Sequence, residues 1–265
     1  MKPLRFAVTT SHKQTSDLVD GAKQIAGELA ARYVERNKRS LGTLSEDLGV
    51  AGMLVVASKK ISFVSRAGEF FFHPGLAGLR INELKNGKTD QMIDAMSIDA
   101  GDSVLDCTLG LGTDAVVASY AVGNNGRVVG LENSPVIAYL VKSGLASYPE
   151  ADGDTAAAMR RVEVVQADHR DYLRKLPAGS FDVVYFDPMF RLPGRRSPAI
   201  NALRVLADSE PLGRETINLA VKIANKRVVV KERRDSAEFG RLGFEKIHGG
   251  RYAPVVYGVI NCQGL

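Results

Sequence analysis

The apolar positions of this chain fall into two patterns, and each predicts a different part of the fold. From residue 103 onward, short apolar runs at 104–106, 127–132, 162–166, 181–186 and 227–231 read as buried strands. The stretches between them predict helices at about 113–122, 135–147, 169–175, 199–206 and 212–225. Such alternation implies a mostly parallel sheet with helices on both faces. Two further runs, 243–248 and 255–260, flank Gly249-Gly250 and predict an antiparallel hairpin that closes the sheet.

The first third is patterned differently. A strand is predicted at 4–10, then a helix at about 18–33, with Thr15-Ser16-Asp17 as its cap. Leu18, Ala22, Ile25, Ala26, Leu29 and Tyr33 would share its apolar face. A basic turn (Arg32, Arg36, Lys38, Arg39), a short helix at 45–50 and strands at 53–57 and 61–64 follow; a third strand, at 70–74, stops at Pro74. The glycine-punctuated stretch 75–87 reads as a connection, and Thr89 as the cap of a helix to about 97. The expected organisation is a small α+β module over 1–88, a candidate for RNA recognition, followed by a Rossmann-like α/β domain over 89–265.

Composition narrows the function classes. An apolar fraction of 45% and a charged fraction of 25% are those of an ordinary soluble domain. No apolar run reaches the roughly 18 residues of a spanning helix, and the first ten residues are too short an apolar run for a signal peptide, so no membrane partner is expected. Cys107 and Cys262 alone make neither a disulfide framework nor a metal cluster; the four histidines lack ligand spacing. A reducing, cytoplasmic setting and no metal are the expectations. Residues 1–88 hold 14 Lys/Arg against 8 Asp/Glu, while 89–265 hold 21 against 22, so the excess of positive charge lies in the first third. Such a patch suits nucleic-acid phosphates or a plain solvated surface equally.

The chemistry gathers at the predicted strand ends. The stretch Ser-Val-Leu-Asp-Cys-Thr-Leu-Gly-Leu-Gly-Thr-Asp (103–114) reads as strand, tight turn and helix start, and Gly110 and Gly112 would let a ligand approach the backbone. In open α/β sheets ligands lie beyond the carboxyl ends of the strands. Here those ends carry Asp106, Glu132, Asp168, Asp187 and Lys231. Burying unpaired acids is costly, so so many carboxylates at one edge imply a ligand or partners. Asp106 and Asp114 would repel a pyrophosphate, which weighs against a nicotinamide dinucleotide and for a cationic nucleoside such as S-adenosylmethionine. Glu132 would then accept from the ribose hydroxyls and Asp168 from the adenine amine.

Asp187-Pro188-Met189-Phe190 points to the acceptor. An exocyclic aromatic amine is a poor nucleophile because its lone pair is delocalised. The Asp187 carboxylate and the Pro188 carbonyl could accept its two N–H groups, and Phe190 could stack on the base. Arg191, Arg195 and Arg196 after the fourth strand, and Lys231, Arg233 and Arg234 after the fifth, would meet phosphates or pair with the strand-end acids and Glu232.

These residues resemble the RsmJ-type methyltransferases, which act on guanine N2 of bacterial small-subunit ribosomal RNA. The resemblance rests on 104–115, Leu-Glu-Asn-Ser-Pro (131–135), Val-Val-Tyr-Phe-Asp-Pro-Met-Phe (183–190) and Lys-Arg-Val-Val-Val-Lys (226–231), and covers about 89–250. It implies cofactor contacts at Thr113, Asp114, Glu132, Asn133, near Asp168 and at Asp187. Two positions depart from it: Thr113 stands where arginine is common in the first turn, and Asn133 where arginine is usual after the glutamate. The first third fits the ribosomal enzymes poorly. The resemblance implies methylation of an exocyclic amine in RNA, with ribosomal RNA or the small subunit as partner; adenine N6 or a protein glutamine amide are the alternatives, because related tetrapeptides serve both. A cofactor-fold protein that binds RNA without catalysis is a further one.

Overall fold

The computed structural model describes residues 5–149, 151–188, 198–207 and 210–262, the side chains of 198–200 excepted. Its contacts group into two units: Met1–His73 with Ser134–Leu140 and Pro193–Asp208, and Pro74–Asn133 with Val141–Leu192 and Ser209–Leu265.

The first unit is built on β1 (Phe6–Thr10), α1 (Ser16–Glu28), β2 (Arg32–Tyr33), α2 (Leu41–Leu48), β3 (Gly52–Val56), β4 (Ile61–Ser65) and β5 (Gly68–Phe71). The strands form a sheet in the order β2-β1-β3-β4-β5, with β2 and β3 parallel to β1 and the last two antiparallel. Thr15 caps α1 as expected, its hydroxyl accepting from the Leu18 amide. That helix ends at Glu28 rather than near 33: Ala30 adopts a positive φ of 47°, and Arg32–Tyr33 return as β2 beside Ala7 and Val8. Tyr33 is therefore a strand residue. The second helix starts earlier than the expected 45 because the Ser40 hydroxyl caps it, and it stops where Gly49 turns left-handed. Leu44 then packs on Ala7, Met53 and Val55 as a small core.

The second unit begins with two helices, α3 (Ala77–Lys85) and α4 (Gln91–Met96), the latter capped by Asp90. Residues 75–87 thus hold a helix where the sequence pattern reads as a connection. Leu76 at its N-cap offers no side-chain acceptor, so the usual start signal is missing; Ala77 and Ile81 nevertheless bury one face. The boundary between units lies at His73–Pro74, ahead of the expected 88/89, because α3 packs within the second unit, on α5 (Thr113–Val122) and α7 (Gly153–Arg161).

The remaining elements are β6 (Ser103–Asp106), β7 (Arg127–Glu132), α6 (Pro135–Ser147), β8 (Val162–Gln166), α8 (His169–Leu173), β9 (Phe181–Phe186), α9 (Pro198–Leu206), α10 (Arg214–Ile223), β10 (Ala224–Arg233), α11 (Glu238–Leu242), β11 (Lys246–His248) and β12 (Val255–Asn261); of these, α9 and the first part of α6 belong to the first unit. The seven-stranded sheet has the order β11-β12-β10-β9-β6-β7-β8; five strands are parallel, and β12 runs antiparallel to both its neighbours. This is the Rossmann-like sheet and closing hairpin the pattern predicts. Among the described residues no helix is long and apolar enough to cross a membrane.

Topology places the site. The chain runs outward from β6 through β7 to β8, then returns to β9 on the other side of β6, so the carboxyl ends of β6 and β9 meet at the switch point. In register, Asp106 faces Gly130 on one side and Tyr185 on the other. A Cβ at Gly130 would lie 2.4 Å from Leu109 Cδ1, and the Leu109 amide donates to the Leu131 carbonyl. The turn after β6 therefore folds back onto β7 through a gap only glycine leaves. Gly130→Ala should cost about 1–3 kcal/mol by overpacking; a melting temperature equal to that of the native chain would show that Leu109 repacks freely.

Candidate active site at the carboxyl edge of the seven-stranded sheet

The turn after β6 is held by its own polar groups. Gly110 and Gly112 take positive φ values of 51° and 75°, which a side chain would oppose, and Gly112 is the N-cap of α5. Asp106 is buried at 2% exposure; its Oδ1 accepts from the Thr108 amide at 3.0 Å. The Thr108 hydroxyl in turn accepts from the Asp187 amide at 2.6 Å. One threonine thus ties the first strand end to the fourth.

Beneath this turn lies a charged network that sequence reasoning found only in part. Asp114 Oδ2 accepts from the Lys231 ammonium at 2.8 Å and from the Tyr185 hydroxyl at 2.7 Å. Its Oδ1 accepts from Arg80, whose guanidinium also forks onto both oxygens of Asp90. Lys231 makes its second contact, 2.8 Å, with Asp187 Oδ2. Lys231 is therefore bound by two carboxylates, and the alternative of pairing with the strand-end acids holds over a phosphate contact. Asp114 is a hub whose two oxygens accept from Arg80, Tyr185 and Lys231.

Arg80, Asp90, Thr108 and Tyr185 escaped notice. Arg80 lies on the unrecognised α3. Tyr185 carried a readable signal: a hydroxyl in an otherwise apolar buried strand needs a partner, and this one stands two residues before Asp187.

Other candidates are placed as follows. Glu132 ends β7, buried, with Asn133 half-buried after it. Asp168 caps α8, and both its oxygens are occupied by Arg170, which also pairs with Glu210. The hydrogen bond from Arg170 holds the Asp168 carboxyl down to about 2. The Thr113 hydroxyl donates to the Pro74 carbonyl at 3.3 Å. Arg233 is half-buried and forks onto Asp235. Pro188 is half-buried beside Asp187; Phe190, Arg191, Arg195 and Arg196 lie outside the described residues.

The charge balance selects a ligand. Among the described residues, Asp90, Asp106, Asp114 and Asp187 face two cations, Arg80 and Lys231. Burial, reinforced by Asp114 and Asp187, pushes the Asp106 carboxyl up to about 8. Burial likewise raises Asp187 to about 6 against the pull of Lys231, whereas Lys231 and Arg80 together overcome burial at Asp114 and lower it to about 2. Asp106 Oδ2 meets no hydrogen-bond donor among the described residues. A surplus of buried negative charge with an unfilled acceptor suits a ligand that brings an ammonium or sulfonium charge. The residues present therefore fit S-adenosylmethionine: Asp106 for the amino-acid end, the glycine turn for close backbone approach and Glu132 for the ribose.

Linkage gives a test. Between an unfolded carboxyl value of about 3.9 and the folded value of about 8, the folded state holds a proton on Asp106 that the unfolded state has released. Its contribution to stability therefore falls as pH rises through that window. Asp106→Asn removes the effect, so the variant should melt above the native protein by a margin that widens from pH 5 to pH 8. A margin that stays constant would show that Asp106 is ionised in the folded state throughout.

Comparisons with known proteins place the chain in a family. A family model described as "Putative SAM-dependent methyltransferase" matches residues 71–241. The chain is 39% identical over 254 residues to the uncharacterised protein YpiP of Bacillus subtilis, covering 96% of this chain and 98% of that one. It is 41% identical over 136 residues to ribosomal RNA small subunit methyltransferase J of Laribacter hongkongensis, an alignment spanning 49% of this chain and 46% of that enzyme. In fold it is similar to the SAM-dependent methyltransferase NGO1261 of Neisseria gonorrhoeae, with a TM-score of 0.65 at 16% identity over 98% of this chain and 97% of that one. Sheet order, acid-rimmed turn and family model agree: the chain belongs to this family of S-adenosylmethionine-dependent methyltransferases.

Proposed function

We propose that the chain methylates an exocyclic amine of a nucleobase in RNA, with guanine N2 of small-subunit ribosomal RNA as the acceptor. The observation that carries this reading is the state of Asp187. One of its oxygens is fixed by Lys231 and its amide by Thr108, while Oδ1 meets no donor among the described residues. A carboxylate so fixed can accept one amine N–H, and the carbonyl of Pro188, which follows it, can accept the other. Both bonds steer the amine lone pair away from the ring. Bound S-adenosylmethionine supplies an electrophilic methyl group on its sulfonium.

The same residues describe what the chain does during transfer. Asp187 holds the amine in line and stabilises the positive charge that develops on its nitrogen. Lys231 keeps Asp187 in one rotamer and favours its ionised form. A base held this way must be presented extrahelically, which is easiest in a loop or single strand; stacking on Phe190, outside the described residues, is the expectation from sequence. The partial identity to ribosomal RNA small subunit methyltransferase J supports small-subunit ribosomal RNA as the substrate. Two free cysteines, one buried and one half-buried, suit a cytoplasmic place of action.

The deciding experiment incubates the protein with methyl-labelled S-adenosylmethionine and, separately, naked ribosomal RNA, small subunits, transfer RNA and protein extract from cells lacking its gene. Label that digests to N2-methylguanosine in ribosomal RNA is the expected result; N6-methyladenosine or labelled glutamine would overturn the acceptor. Asp187→Ala should lower kcat by about 100-fold or more, as loss of one transition-state hydrogen-bonding group does, with little change in cofactor affinity. Because burial raises Asp187 to about 6, turnover should rise with pH through that value and then level. In Lys231→Met the rising limb should move to higher pH, since the ammonium that favours ionisation is gone. An unmoved limb would assign the titration to another group.

A further inference from the structure

The first unit has a second loaded edge. β1, β2 and β3 are parallel, in the order β2-β1-β3, so their carboxyl ends lie together. The loops that leave them carry His12 and Lys13, then Arg36, Lys38 and Arg39, then Lys59 and Lys60. A depression of about 340 Å³ opens there, lined by His12, Gln14, Asn37 and Lys38.

The unusual group is Arg36. Its side chain is buried, at 7% exposure, yet its guanidinium meets only neutral acceptors: the Arg39 carbonyl at 2.8 Å, the Thr10 carbonyl at 3.4 Å and His12 Nε2 at 3.1 Å. No carboxylate pairs with it among the described residues. Arg80 in the other unit shows the ordinary solution, a partly buried guanidinium between two aspartates. A buried charge without a counter-ion is costly, so this one is suited to an anion that arrives from outside.

The surroundings point the same way. Arg39 and Lys60 are neutralised by Asp47 and Glu69, but Lys13, Lys38 and Lys59 form no ion pair among the described residues. Asn37 and Lys38 both sit at positive φ, 44° and 59°, a conformation that side chains resist and that persists only where neighbours impose it. It places two lining residues of the depression side by side.

We propose that the carboxyl edge of the five-stranded sheet, where His12, Gln14, Asn37 and Lys38 line a depression beside the buried Arg36 guanidinium, binds backbone phosphate of an RNA strand. Lys13 and Lys59, on separate loops of the same edge, extend the positive charge beyond a single phosphate, which favours a strand over a free anion. The proposal rests on the reading of an RNA substrate, and it concerns binding rather than methyl transfer.

The test measures equilibrium binding of a fluorescently labelled single-stranded RNA oligonucleotide to the full chain over a range of salt. The triple variant Lys13→Gln, Lys38→Gln, Lys59→Gln is compared with Lys246→Gln, an exposed lysine of the other unit. The triple variant should bind at least about tenfold more weakly, with a salt slope shallower by about 2, from roughly 0.7 per lost single-strand contact; the control should be unchanged. Equal affinity and slope for triple variant and native chain would overturn the proposal. A nucleoside monophosphate that binds the native chain but not the triple variant, with RNA affinity unaffected, would also overturn it in favour of a small phosphorylated ligand. RNA binding that follows the variants while no substrate is methylated would leave this site standing and strike the proposed acceptor chemistry instead.

Discussion

Everything at the cofactor edge depends on one ammonium group, that of Lys231, held between Asp114 and Asp187. Three aspartates from three different elements converge there, and without a cation their mutual repulsion would open the switch point. Lys231 and Arg80 make the convergence tolerable without neutralising it. The residual negative charge is what a cationic cofactor can use, and the same ion pair orients the acid next to Pro188. Stability and chemistry are thus set by one incomplete compensation. Such a site is less stable than it could be, because a neutral Asn at 106 would relieve some of the strain while removing the acceptor.

Much of this was legible in the sequence, for a physical reason. Buried parallel strands need continuous apolar runs, and tight turns at their ends need glycine, so β6 through β10 and the turn at 106–114 could be read directly. The strand ends then named Asp106, Glu132, Asp168 and Asp187 without further help. What stayed hidden were pairings between distant residues. Nothing near Lys231 in sequence says that its partner is Asp114 rather than a phosphate, and nothing near Asp168 announces that Arg170 folds back over it. Elements with weak start signals were missed as well: α3 begins at an uncapped leucine, and α7, despite its Asp152 cap, offers mostly small residues and little apolar periodicity.

The two sheets, each taken alone, use one device with opposite sign. In the seven-stranded sheet the carboxyl edge gathers acids and leaves them under-compensated by two cations. In the five-stranded sheet it gathers cations and leaves Arg36 without an acid among the described residues. Parallel strands deliver their loops to one side, so either edge can concentrate charge that no single loop could hold.

The pairing of Asp114 and Asp187 with Lys231 also orders events in time. β6, β7 and β9 carry the acids, and all precede β10 in the chain, so during synthesis the repelling groups emerge before the cation that reconciles them. A nascent chain that has released residue 187 but not 231 holds β9 beside β6 against like charge that Arg80 alone offsets among the described cations. Docking of β9 is then expected to be reversible until β10 arrives, and formation of the binding edge becomes a late step of folding rather than an early one. Premature capture of the cofactor by a half-made sheet is thereby disfavoured by the chain order alone.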